Sequence, residues 1–159
     1  MAKAIPDGYH SLTPQITVKD AEKAIEFYKK AFGAKEIMRM PGPGGKGIMH
    51  AELKIGDSAF MLADEMPAMG AKSPQSLGGS TGSIYLYVED VDSVYAKALA
   101  AGGTGRSQVQ DMFWGDRTGH LTDPFGHQWT IATHKEDVSM AEMGKRAQAF
   151  FSKMSASGA

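Results

Sequence analysis

Two histidines and a glutamate are the residues whose types and spacing point most directly to chemistry. His50 and Glu52 are two positions apart, which in a β-strand places both side chains on one face. His120 comes seventy positions after His50, and a repeated strand would bring it towards them. Imidazole and carboxylate groups can hold a divalent ion or act as general acid and base, so these three are the catalytic candidates. An ordinary exposed or hydrogen-bonded histidine is the competing interpretation.

Trp114 and Arg117 lie on either side of a Gly115-Asp116 turn and form a second candidate site. An indole ring at this position would form one wall of a ligand pocket, and the guanidinium group would pair with an anion. A core tryptophan beside a surface ion pair between Asp116 and Arg117 explains the same residues without a ligand. Both interpretations stay open.

The amino-acid composition limits the kinds of protein to which this chain can belong. The 159 residues, 42% hydrophobic and 22% charged, fit a single soluble domain. A net charge of −1 without blocks of like charge argues against nucleic acid or a membrane as partner. The chain has no cysteine, which excludes a thiolate nucleophile or ligand. The first nine residues do not resemble a secretion signal, and no apolar run approaches the ~20 residues of a membrane span, so we expect a cytoplasmic location.

A strand that leads into a helix occurs twice along the chain. Alternation over Ile16–Asp20 and over Leu86–Asp90 changes to helical spacing, with Asp20 and Asp90 placed to cap the helices. Short alternating runs follow each helix, so each half is predicted to be βαβββ. The predicted runs are Ile37–Met40, Ile48–Ile55 and Ser58–Ala63 in the first half, then Gln108–Trp114, His120–Asp123 and Gln128–Thr133 in the second. The predicted organisation of the single domain 1–159 is a first module 9–65, a linker 66–82, a second module 83–135, and a C-terminal amphipathic helix and tail 136–159.

The two halves, with Asp123-Pro-Phe-Gly126 before the last strand, resemble the vicinal oxygen chelate superfamily. This superfamily includes glyoxalase I, extradiol dioxygenases and bleomycin-resistance proteins. The run Phe113–Arg117, followed by Asp123–Trp129, looks like its PhnB-like branch. The resemblance implies an α+β fold in which two βαβββ modules form a cleft-lined, mixed-sheet, barrel-like structure, and it implies a homodimer.

The resemblance also implies four metal-ligand positions, on the first and last strands of the two modules. Counting places them at Thr13, Met61, Ser83 and Thr130. Hydroxyl and thioether groups are poor ligands for a hard divalent cation, so we predict no metal at the usual site and no cofactor.

Strand alternation places polar and aromatic side chains on the sheet faces opposite the helices, which line a cleft in this superfamily. We therefore predict a protein that binds a small organic ligand there, without the usual metal site. The predicted ligand-binding residues are Gln15, His50, Glu52, Tyr85, Tyr87, Trp114, Arg117 and Gln128.

Two other functions stay open at this point. One is a metal-dependent glyoxalase-like lyase or dioxygenase, in which His50, Glu52 and His120 hold a displaced divalent ion. The other is a structural or regulatory dimer module whose cleft is unused. Whether the chain is an enzyme is not decided by its residues alone.

Overall fold

The computed structural model describes residues 2–157, so Met1 and the last two residues of the predicted tail lie outside the described residues. The first half contains β1 (Gln15–Val18), α1 (Ala21–Phe32), β2 (Lys35–Pro41), β3 (Ile48–Ile55) and β4 (Ser58–Asp64). A short helix, α2 (Pro74–Leu77), lies between the halves. The second half contains β5 (Ser83–Tyr87), α3 (Val91–Ala100), β6 (Thr104–Asp111), β7 (Asp116–Thr122) and β8 (Gln128–His134), and α4 (Met140–Ser157) follows.

Side-chain caps fix where the two long module helices begin. The Asp20 carboxylate accepts a hydrogen bond from the Lys23 backbone N–H at 3.0 Å. The Asp90 carboxylate accepts one from the Ser93 N–H, also at 3.0 Å. Such caps satisfy backbone donors that a first helical turn leaves unpaired, and both were expected from the sequence.

Each half forms its own four-stranded sheet. The strand orders are β1-β4-β3-β2 and β5-β8-β7-β6. In each sheet the first strand pairs in parallel with the last, and the other pairs are antiparallel. The predicted pair of βαβββ modules in an α+β fold is therefore confirmed.

The two helices of the modules lie between the two sheets. α1 packs on the first sheet, α3 packs on the second, and the helices contact each other. Tyr28 of α1 lies 5.5 Å, between ring centroids, from both Phe60 of β4 and Trp129 of β8. A single hydrophobic core thus spans both modules. The opposite side of each sheet, called its open face below, points away from that core.

A buried carboxylate connects the two modules within this core. Asp123 accepts hydrogen bonds from the Tyr28 hydroxyl at 2.7 Å and the Trp129 indole N–H at 2.9 Å. It also accepts the backbone N–H groups of Phe125 and His127, both at 2.9 Å. Four donors satisfy a carboxylate that is only 4% exposed, so Asp123 acts as a polar cross-link in an apolar region.

Two segments differ from the sequence-based expectation. The strand after α3 was predicted over 108–114, whereas β6 covers Thr104–Asp111 and pairs with β7 through two register irregularities. The linker was predicted as loop, but the Ser73 hydroxyl caps α2 by accepting the Ser76 N–H at 3.3 Å. None of the helices within residues 2–157 combines the length and the apolar character needed to cross a bilayer.

Candidate functional site

A buried carboxylate on the open face of the second sheet accepts hydrogen bonds from three side chains. Asp116, at the start of β7, accepts the Tyr85 hydroxyl at 3.0 Å and the Tyr87 hydroxyl at 2.9 Å. Its other oxygen accepts the His134 Nδ1–H at 2.8 Å, and the nearby Trp114 side chain helps to lower the pKa of Asp116. Asp116, Tyr85, Tyr87 and His134 are called the tyrosine–carboxylate cluster below.

Hydrogen bonding sets the charge states within the cluster. Burial alone would raise the pKa of Asp116, but the bonds from His134 and the tyrosines outweigh it and hold that pKa below its usual value. The bonds to Asp116 and then Asp137 raise the pKa of His134. Burial, followed by the bond to Asp116, raises the pKa of Tyr85. At neutral pH the carboxylate is therefore ionised and the tyrosines donate protons to it.

Both ring nitrogens of His134 lie within hydrogen-bonding distance of a carboxylate. Its Nδ1–H points at Asp116, and its Nε2 lies 3.1 Å from the Asp137 carboxylate. An imidazole held on both sides by carboxylates is stabilised as the cation. The cluster is therefore organised for binding and charge balance, and its histidine is not placed to act as a general base.

The two tyrosine rings of the cluster are accessible from a large groove. Their centroids lie 5.0 Å apart with the ring planes tilted by 44°. Tyr85 is 44% exposed and Tyr87 is 60% exposed. Because β5 is an edge strand, the groove of about 1340 Å³ reaches residues on both of its faces. Besides Tyr85, Tyr87 and His134, the walls of this inter-module groove include Phe32, Ile55, Phe60, Leu86, Val88 and Trp129.

A separate polar cluster lies on the open face of the first sheet. Glu52 of β3 accepts hydrogen bonds from the Tyr9 hydroxyl and, at 3.0 Å, from His50 Nε2. These bonds hold the pKa of Glu52 below its usual value, the Tyr9 bond contributing most. The same bond raises the pKa of Tyr9 to about 12. Tyr9 thus fastens the N-terminal segment to the sheet.

His120 does not join His50 and Glu52 within one chain. It lies on β7 of the second sheet, where its Nδ1 is 2.9 Å from the Thr130 hydroxyl oxygen. The open faces of the two sheets point away from the shared core, which separates the catalytic candidates. Among residues 2–157, no three His, Asp or Glu side chains are grouped so that they could hold a metal ion.

The side chains at the four superfamily metal positions do not suit a divalent cation. Thr13 precedes β1, and its hydroxyl donates to the His10 carbonyl oxygen at 3.0 Å. Met61 pairs with Gln15, and Thr130 pairs with Tyr85, at equivalent points of the two sheets. Together with Ser83 these positions offer hydroxyl and thioether groups, which bind hard cations weakly.

Of the remaining predicted ligand-binding residues, Gln15, Gln128 and Arg117 lie apart from the cluster, whereas Trp114 adjoins it. Gln15 and Gln128 line a second groove of about 740 Å³, next to the linker. The Arg117 guanidinium is held by Asp92 of α3 at 2.8 Å and by Asp111 at 3.1 Å. Trp114 contacts Phe113 edge to face, with ring centroids 4.9 Å apart.

Sequence reasoning missed the central role of Asp116. It had been considered as the partner of Arg117 in a surface ion pair, and that pair is not formed. Consecutive residues of a strand point to opposite faces, so Asp116 and Arg117 cannot share one side of β7. If the predicted strand had been extended from His120 back to Asp116, alternation would have placed Asp116 and Arg117 on opposite faces of the sheet. His134 and Tyr9 were missed because Asp116 and Glu52, which they contact, are 18 and 43 positions away in the sequence.

Residues 10–131 match the Glyoxalase/Bleomycin resistance protein/Dioxygenase superfamily, and the chain belongs to this superfamily. The uncharacterized protein Rv0887c of Mycobacterium tuberculosis (strain ATCC 25618 / H37Rv) is 46% identical over 136 residues, which cover 84% of this chain and 79% of the relative.

Two solved structures place the chain among its relatives. The gene product At5g48480 of Arabidopsis thaliana is 28% identical, with a TM-score of 0.62 over 77% of this chain and 98% of that one. The PhnB protein of Bacillus cereus shares the fold, with a TM-score of 0.61 and 19% identity over 78% of this chain and 99% of that one. The predicted resemblance to the superfamily is thus confirmed, and the PhnB protein is among the structures that share the fold.

Proposed function

We propose that this protein binds a small organic ligand in the inter-module groove, without the metal ion of the usual superfamily site. The observation that carries the proposal is the pair of exposed tyrosine rings, Tyr85 and Tyr87, whose hydroxyls are fixed on the buried Asp116. Rings held in this way offer apolar contact area without a large loss of side-chain freedom on binding. Membership of a superfamily that includes bleomycin-resistance proteins supports the same reading.

The composition of the groove also favours binding. Its apolar wall includes Leu86, Val88 and Trp129, which would exclude water from one side of a ligand. The polar groups of the adjoining cluster already satisfy one another, because Asp116 accepts several donors and both nitrogens of His134 are occupied. A mostly apolar groove with a few fixed polar groups is the usual form of a small-molecule site.

A metal-dependent lyase or dioxygenase is the alternative function, and the contact between His50 and Glu52 is the observation that favours it. A divalent ion would need further ligands beside these two. Metal content measured on protein purified without chelator tests this alternative, with His50→Ala as the control. Stoichiometric metal that is lost in His50→Ala would favour the alternative over the proposal.

A thermal-shift screen of small aromatic and ionic compounds in the presence of EDTA tests the proposal itself. A ligand at about 100 times its Kd adds about 2.7 kcal/mol to the free energy of unfolding, which corresponds to a rise in Tm of roughly 5 to 10 °C. We expect Tyr87→Leu to abolish most of this rise, while Tyr87→Phe retains it. The proposal fails if no compound raises the Tm in EDTA, or if binding requires an added divalent ion.

A further inference from the structure

The geometry points to a methylated ammonium group as the part of the ligand that the tyrosine–carboxylate cluster binds. This inference rests on the proposed function, because it specifies the ligand of the same groove. Three features of the described residues support it: the orientation of the two tyrosine rings, the burial of Asp116 behind its donors, and the charges along the groove.

The tyrosine hydroxyls face the protein, so the ring faces are what the groove offers to a ligand. Both hydroxyls donate to the same oxygen of Asp116, while the rings of Tyr85 and Tyr87 remain 44% and 60% exposed. Donation to an anion increases the electron density of a phenol ring. The negative face of an aromatic ring attracts cations, and recognition of quaternary ammonium groups is an established use of this attraction.

The bonds already made by Asp116 select the kind of cation. Its oxygens accept from Tyr85, Tyr87 and His134, and its side chain is only 4% exposed. Over the two rings, the N–H groups of a primary amine or guanidinium would have to compete with these donors for Asp116. A fully methylated ammonium has no N–H group, so it can lie on the rings near the carboxylate and leave the cluster intact.

The charges along the groove favour a cation over an anion. Its lining includes the carboxylates of Asp57, Glu89 and Asp90 but a single lysine, Lys97. The charge of His134 is offset on both sides by Asp116 and Asp137. A groove lined mainly by one sign of charge raises the local concentration of the opposite charge.

Choline and its uncharged analogue 3,3-dimethylbutan-1-ol test the inference, because they share shape and differ in charge. We expect choline to bind saturably in an NMR titration of the whole protein, with shifts centred on Tyr85 and Tyr87. The analogue should bind about tenfold more weakly, the size of effect that cation–π attraction supports. Equal binding of the two compounds, or binding of neither, would overturn the inference.

Substitutions locate the site. Tyr87→Leu removes an exposed ring and should weaken choline binding about fivefold or more, whereas Tyr87→Phe keeps the ring and should weaken it less. Asp116→Asn removes the charge and should also weaken choline, but not the analogue. Unchanged choline binding in folded Tyr87→Leu would contradict the assignment even if Asp116→Asn failed to fold.

The outcomes also separate this inference from the proposed function. Suppose that choline does not bind, while other compounds raise the Tm of the wild type but not that of Tyr87→Leu. In that case the ammonium assignment is wrong, and the groove is still a ligand-binding site. If no compound binds in either experiment, both proposals are wrong.

Discussion

Asp116 accepts hydrogen bonds from two tyrosines and a histidine, and its substitution measures what the cluster contributes to stability. Asp116→Asn keeps the shape of the side chain but removes the charge that its donors were placed to meet. We expect the free energy of unfolding to fall by about 1 to 3 kcal/mol, as for other buried hydrogen-bonded charges. Urea unfolding followed by circular dichroism measures this. Asp137→Asn, at an exposed carboxylate, is the control and should change it by less than about 0.5 kcal/mol. Equal effects of the two would contradict the account.

The pair of His134 and Asp116 predicts how stability depends on pH. The pKa of His134 is raised above 6.5 in the folded state. Its contribution to the free energy of unfolding is therefore complete below pH 6.5 and is lost as the pH rises through the pKa of the folded state. The pKa of Asp116 is lowered below 3.8, so its contribution is present above that pH and is lost as pH falls through the folded pKa. Between these limits both groups stabilise the fold.

His134→Gln should therefore remove part of the decline in stability above neutral pH. Urea unfolding of wild type and variant at a series of pH values from about 5 to about 9 tests this. We expect the difference between the two proteins to be largest at the acid end and to shrink as pH rises. A difference that stays constant, or grows with pH, would contradict the raised pKa of His134.

Individual residues were predictable from the sequence where a local rule applies. The caps Asp20 and Asp90 follow from their positions before helical spacing, and the contact between His50 and Glu52 follows from alternation. The bond between Tyr9 and Glu52 joins residues 43 positions apart, and no local pattern indicates such a partner.

The hairpin from β2 to β3 offers a test at the scale of an element. Gly44 and Gly47 have φ values of 68° and 67°, which side chains other than glycine rarely adopt. A Cβ on Gly47 would lie 2.8 Å from an Asp64 oxygen, whereas one on Gly44 would meet nothing within 4 Å. The same Asp64 oxygen accepts the Ile48 N–H at 2.7 Å, so the contact matters for the hairpin.

Gly47→Ala should consequently destabilise the protein more than Gly44→Ala. We expect backbone strain to lower the free energy of unfolding by about 1 to 2 kcal/mol in each variant. The contact between the new Cβ and Asp64 should lower it by about 1 kcal/mol more in Gly47→Ala. Thermal and urea unfolding of the two variants measures the difference. Equal losses of stability would show that Asp64 moves away without cost.

Elements were predictable from the sequence where alternation is strong and long. β3 was expected over Ile48–Ile55 and has those bounds. The predicted bounds of the strand after α3 were wrong because β6 is polar and mostly exposed, so its residues do not alternate clearly between apolar and polar. A helix of four residues such as α2 is too short to show a helical period, although Ser73 and Pro74 are typical of a helix start.

At the scale of the whole molecule, the open faces leave large apolar side chains exposed. Met38 and Met40 of β2 are 38% and 43% exposed and share the open face with His50 and Glu52. We propose that a second copy of the chain covers this face, in the homodimer that the resemblance implies. The position of the helices between the sheets was not predictable from either module alone, because it depends on contacts between α1 and α3.

Met40→Asp tests the proposed dimer. A charge at the centre of an apolar interface is costly, so we expect a dimer of the wild type and at least tenfold weaker association of the variant. Sedimentation equilibrium measures both. Met69→Asp is the control, because Met69 is 78% exposed in the linker and its replacement should leave association unchanged. A monomeric wild type, or a variant that associates normally, would contradict the dimer.

Ligand binding in the inter-module groove is most directly tested by a crystal structure of the protein with the best compound of the screen, grown in EDTA. We expect the compound to contact the rings of Tyr85 and Tyr87 and to leave Thr13, Met61, Ser83 and Thr130 without an ion. A compound bound away from these rings, or a cation held by those four side chains once EDTA is omitted, would contradict the account.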